Sequence, residues 1–246
     1  MNLRSTTTST ALAVLLAAGL AACGGTGSPV ANDAAVSTTT TSTVTDAEPT
    51  AGDAGSTGAT GLTDDEVAGL VFMREEEKLA RDVYLTMYEQ WGIPVFENIA
   101  ASEERHTEAV AGLLEQFGIP DPVGDGTVGV FSDPTLSALY DDLVEQGSAS
   151  PTDALAVGAL IEDLDIADLR EWLDLTDDPD IQRVYGNLLR GSENHLRAFT
   201  SRLEAEGAAY TATYLTQDEI NDILADESRG GGNGRSHNGQ RRGRRA

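Results

Sequence analysis

The sequence predicts an all-α protein, a four-helix bundle flanked by disordered N- and C-terminal segments. Three observations carry this. From residue 63 to about residue 206 apolar residues recur at spacings of three and four, the period of one helical face, and no run alternates as a strand would. The periodic segments are long and are separated by stretches rich in Gly, Pro and Asp. Residues 24–62 and 229–246, by contrast, are dominated by small, polar or basic residues. Such segments cannot bury enough surface to offset the entropy of ordering.

The first helix opens on the capping box Thr63-Asp64-Asp65-Glu66 and stops at Gly92. With Glu77 as reference, Leu70, Met73, Ala80, Tyr84, Tyr88 and Trp91 share its arc. Glu77 is therefore the member of Glu75-Glu76-Glu77 expected to face the core, and Glu75 and Glu76 are expected to point elsewhere. "GIPVF" is a tight connection, and short connections make antiparallel neighbours. The second helix, 97–117, aligns Ile99, Ala100, Glu103, His106, Thr107, Val110, Leu114 and Phe117, leaving Glu104, Arg105 and Glu108 outside. Residues 118–150 read as a long crossover containing an extra short helix from Pro134, capped by Ser132 or Asp133. Pro151 opens the next helix, whose face holds Leu155, Gly158, Ala159, Glu162, Asp165, Ile166, Leu169 and Leu173. The last long helix follows Asp178-Pro179 and carries the stripe Tyr185, Leu188, Leu189, Ser192, Leu196, Phe199 and Leu203. His195 lies on one shoulder of that stripe and Glu193 further out on the other. Within residues 207–228, "TQDEINDILADES" reads as a short capped helix expected against the bundle end.

The ends point to export. Arg4 precedes an apolar run, Ala11 to Ala22, too short to span a membrane comfortably and suited to a secretory signal peptide over residues 1–22. Leu20-Ala21-Ala22-Cys23 resembles the bacterial lipobox, which implies cleavage before Cys23, its lipidation, and anchoring to the outer face of a membrane or cell envelope. Cys23 is the sole cysteine, so no internal disulfide supports the fold. Residues 23–62 are then a tether, and 229–246 an Arg-rich tail facing lipid, wall polymer, the acidic body or only solvent. The chain carries a formal net charge of -25, which argues against nucleic acid as a partner of the bundle.

Each main helix thus sets an ionisable group on its apolar face: Glu77, then Glu103 with His106, then Glu162 (with Asp165), then His195 or Glu193. Lys78 is the only lysine. Arg74 and Arg81 stand at i-3 and i+4 from Glu77 and could answer it locally, but not the whole set. Several carboxylates buried together repel and take up protons; two divalent cations relieve this and return folding energy. Oxygen and imidazole donors suit iron or manganese. Glu103 and His106, at i and i+3, stand one turn apart on the same side. Di-metal carboxylate bundles take a lone Glu from each of two helices and Glu-x-x-His from each of the other two.

"EKLARDVYLTMY" (77–88) resembles the first helix of ferritins, in which a ligand glutamate precedes a tyrosine by seven positions, as Glu77 precedes Tyr84. "EERH" (103–106) resembles the bridging-glutamate and histidine motif of the second helix, and Glu162 falls where the third gives a carboxylate. Together "MREEEKLARDVY", "ASEERH", "GALIEDLDIADL" and "GSENHLRAF" resemble the bacterial DUF2202 proteins of the ferritin-like superfamily, a family of unassigned function. The resemblance covers about residues 65 to 205. It implies a ferritin-like bundle with a di-metal centre on Glu77, Glu103, His106, Glu162 and His195, with Tyr84 close enough to tune it. One position departs: Ser192 stands where a second Glu-x-x-His ending at His195 needs Glu, and Glu193 points to the opposite shoulder. Two metals held unevenly, one metal, or Asp165 as a substitute ligand all remain open. So do three functions: a di-iron oxidase acting on ferrous iron with dioxygen or peroxide, a non-catalytic metal-scavenging lipoprotein, and a helical interaction module without metal.

Overall fold

The structure is a computed structural model and describes residues 61–226. The expected signal peptide, the Cys23 attachment point, most of the tether and the Arg-rich tail lie outside those residues. The described residues are all-helical: α1 (Asp64–Trp91), α2 (Pro94–Phe117), α3 (Pro134–Gly147), α4 (Pro151–Leu175), α5 (Pro179–Ala205) and α6 (Gln217–Ala225). None of these helices is long and apolar enough to cross a membrane.

Local chemistry sets the boundaries. Thr63 and Glu66 form the capping box, and Gly92 and Gly118 end α1 and α2 in left-handed conformation, with φ of 64° and 67°. Asp133, Ser150 and Asp178 cap α3, α4 and α5, each followed by Pro in the first turn. Pro94 likewise starts α2 three residues earlier than the periodicity suggests.

Cross-contacts fix the topology. Along α1, Arg74 meets Thr107 and Arg81 meets Glu104, so α2 runs antiparallel to α1. Tyr84 meets Glu162 while Glu66 meets Thr176, so α4 is antiparallel to α1 as well. Asp165 meets Ser192 while Gly158 meets Phe199, so α5 is antiparallel to α4. The crossover 118–150 carries the chain back along α1 from Arg74, which Asp121 meets, to Trp91, whose indole donates to the Gly147 carbonyl.

The crossover is held by polar residues of α1. Lys78, fully buried, donates to Asp82 (2.5 Å) and to the carbonyls of Thr127 and Val130, and lies over the Phe131 ring. Glu75 accepts from the backbone N–H groups of Ser132 and Asp133. The apolar core is split. One cluster, around Tyr84, Phe96 and Phe199, fills one end of the bundle; another, around Met73, Leu114 and Tyr185, fills the other. The polar side chains lie in the layer between them.

The segment before α6 does not end the bundle. It straps across its flank, where Asp163 of α4 accepts from the N–H groups of Thr213, Tyr214 and Leu215 and from the Tyr210 hydroxyl. Ile220 and Ile223 of α6 join the core beside α5.

Candidate metal centre

Four helices deliver five donors to one level at mid-bundle. Glu103 of α2 is the centre of the group. Its Oε2 lies 2.7 Å from His106 Nδ1 and its Oε1 2.6 Å from His195 Nδ1. His106 Nδ1 also sits 3.2 Å from Glu77 Oε2, and His195 Nδ1 3.5 Å from Glu162 Oε2. The two imidazoles stack, with centroids 5.4 Å apart and planes at 27°. Two triads result, Glu77–Glu103–His106 and Glu103–Glu162–His195, in each of which one donor atom per residue lies within 4.8 Å of the others. Glu103 belongs to both.

Hydrogen bonding leaves this layer incomplete. Glu77 Oε1, Glu103 Oε1 and His195 Nδ1 are buried without a hydrogen-bond partner. The 2.6 Å approach of Glu103 to His195 is therefore a close contact without hydrogen-bond alignment. An orphaned buried polar atom costs about 1–3 kcal/mol, more when charged. The two arginines near Glu77 do not relieve it. Arg74 pairs with Asp121 and donates to Thr107; Arg81 pairs with Asp82 and Glu104.

Electrostatics show the same competition. Burial pushes Glu77 up to about 7, against the pull of His106. Burial also raises Glu162, against His195. Glu103 goes the other way: burial would raise it, but His195 and His106 together hold it below the ordinary carboxylate range. Burial would lower both imidazoles, yet Glu77 and Glu103 push His106 up to about 12, and Glu103 and Glu162 push His195 up to about 10. The donor set is of a kind that could hold divalent cations: three carboxylates and two imidazoles converge.

The structure gathers Glu77, Glu103, His106, Glu162 and His195. His195 reaches Glu103 from an unbroken α-helix, with no bulge. Tyr84 is fully buried and donates to Glu162 Oε1 at 2.5 Å, fixing that carboxylate. Asp165 and Glu193 lie outside both triads. Asp165 accepts from the Ser192 hydroxyl, so the serine that interrupts the Glu-x-x-His pattern presents a carboxylate of α4 instead. Glu193 is buried on the far shoulder of α5, 4.0 Å from Arg197, and lines a cavity with Arg170 and Glu219.

One expectation is corrected. Glu75 and Glu76 do not point away from the interior: both are 2% exposed, nearly as buried as Glu77. Helix α1 is covered on several sides, so consecutive glutamates serve different neighbours: Glu75 the crossover, Glu76 the acidic face of α4, Glu77 the triads. Periodicity with a single core face cannot register this. Asp163 was equally hidden; its signal is only that it sits beside Glu162 on a helix whose other side is also covered.

Comparison with known proteins agrees with this architecture. Residues 66–227 match the family described as an uncharacterized protein domain, DUF2202. The chain is 51% identical over 172 residues to the uncharacterized protein MJ0754 of Methanocaldococcus jannaschii, covering 70% of this chain and 93% of the relative. The crystal structure of the hypothetical protein MJ0754 from Methanococcus jannaschii superposes with a TM-score of 0.66 at 53% identity, covering 66% of this chain and 93% of that one. A family match over most of the chain and a relative at this identity establish that the chain belongs to the DUF2202 family.

Proposed function

We propose that this protein holds two divalent cations, iron or manganese, in a ferritin-like centre bridged by Glu103, and that it oxidises ferrous iron with dioxygen or peroxide as acceptor. The single observation carrying the reading is the convergence of Glu77, His106, Glu162 and His195 on the buried Glu103, with three atoms of the group left without hydrogen bonds. Glu77 and His106 would hold one cation, Glu162 and His195 the other. Three carboxylates offset three of the four positive charges, and Asp165, whose Oδ1 has no hydrogen-bond partner, is placed to offset the fourth. Tyr84 occupies Glu162 Oε1, leaving Oε2 for ligation. Apolar clusters close the layer on either side. When bound, a ferrous pair supplies one electron each, which with two protons reduces dioxygen to hydrogen peroxide, or peroxide to two waters.

The test is an anaerobic titration of the purified full chain with ferrous iron, followed by admission of oxygen. Two irons per chain and prompt oxygen uptake are expected. Glu103→Ala should lose both ions and His106→Ala at least one, while Glu104→Ala, which removes only an outer partner of Arg81, should match wild type. Failure to retain any cation overturns the proposal; retention without oxygen uptake leaves a scavenging protein.

We also propose, from residues 1–23, that the chain is exported and held at a membrane by lipid on Cys23. Cys23→Ser should release it to the soluble fraction, and a variant still sedimenting with membranes would refute the anchor.

A further inference from the structure

A second acidic group lies beside the centre and serves neither triad. Glu76 of α1 is 2% exposed, and neither of its carboxylate oxygens has a hydrogen-bond donor. The carboxyl of Asp168, on α4, is its hydrogen-bonding neighbour, so only a shared proton or a cation can join the two. Asp165 bears on the same group and keeps Oδ1 without a partner. The Tyr185 hydroxyl of α5, also 2% exposed, has no partner and stands within the field of Glu76 and Glu77.

Among the described residues, no Lys, Arg or His lies within ion-pair distance of Glu76, Asp165 or Asp168. Buried charges are ordinarily paired or bound to metal. Here either a retained proton or a cation from outside the chain has to answer the group, and a cation that binds displaces the proton. The group is also graded in depth. Asp168 is partly exposed, close to Glu171 and to Tyr214 of the strap; Glu76 and Asp165 are buried; Glu77 and Glu162 of the centre come next.

We propose that Glu76, Asp165 and Asp168 form a receiving site for a divalent cation, through which it passes from the α4 surface to the centre. The inference rests on the two-cation reading above. Two or three carboxylates suit a cation that keeps part of its water, as one in transit must.

The test mixes the purified full chain with cobalt(II) and follows its visible absorbance in stopped flow, with bound cobalt counted at the end. Asp168→Asn and Glu76→Gln are expected to load about tenfold more slowly than wild type, while still reaching two ions per chain. Glu115→Gln, an acidic change far along α2, should load at the wild-type rate. Equal rates in all proteins overturn the receiving site, as does a final count below two in Asp168→Asn, which would make that residue part of the centre. Should Glu76→Gln fail to fold, Asp168→Asn alone decides. If wild type binds no cobalt, it is the centre that fails, and the receiving site with it.

Discussion

His106 owes its position to a missing side chain. Gly191 of α5 faces its ring, and a Cβ there would come within 2.5 Å of Cε1 and 2.6 Å of Nε2. In an open helix position alanine is favoured over glycine by about 1 kcal/mol. Gly112 of α2 is such a position, with nothing within 4 Å of a built Cβ. Gly112→Ala should therefore stabilise the protein by about 0.5–1 kcal/mol. Gly191→Ala should instead cost about 1–3 kcal/mol through overpacking, and by tilting the ring off Glu77 and Glu103 it should weaken cation binding about tenfold or more. Urea unfolding and cation titration of the two variants give the comparison; equal stabilities would mean the imidazole moves aside freely. At this scale the sequence was partly legible. Glu103 with His106 could be read from the i, i+3 spacing, and Glu77 and Glu162 from their place among apolar neighbours. His195 was ambiguous because a shoulder position tells nothing of how far a side chain must reach. Gly191 left no signal, since its role exists only against the face of another helix.

Whole elements were more legible than their relations. Capping residues and first-turn prolines mark the helix ends, because unsatisfied terminal N–H groups require a nearby acceptor whatever the tertiary structure. The crossover could be read from its turn residues and its length. Its anchoring could not. The sequence gives no sign of where Lys78 goes, and it is fully buried between Asp82, two crossover carbonyls and the Phe131 ring. Glu75 and Glu76 were read as pointing away for want of the same neighbours. A charged run implies a solvated face only when the helix has one, and α1 at this level is enclosed by α2, α4 and the crossover. The strap and α6 differ for a related reason. Asp163 supplies an acceptor for three successive backbone N–H groups, and this draws the segment onto the flank of α4 rather than the end of the bundle.

For the molecule as a whole, the buried acids make stability depend on pH in a direction that cations should reverse. Burial raises Glu77 from 4.5 to about 7 and Asp168 from 3.8 to about 6, and raises Glu76 and Asp165 as well. Between the unfolded and folded values the folded chain keeps protons that the unfolded chain has released, so stability falls as pH rises through that window. The imidazoles act in the same direction: His106 and His195 are raised, so their contribution is complete below 6.5 and falls away as pH climbs from there towards about 10 to 12. Glu103 is lowered, and its contribution is lost only well below the ordinary carboxylate range. Self-repulsion from a net charge of -25 grows in the same direction as the raised acids. In chelator the melting temperature should therefore drop between about pH 5 and about pH 7.5. With excess manganese(II) the trend should turn, because ligation needs the deprotonated donors and strengthens with pH, and a ligand bound only by the folded state raises its stability. Thermal unfolding at the two pH values, with chelator and with manganese, measures both slopes. Slopes of the same sign in both solutions would show that the buried carboxylates are not the groups the cation engages.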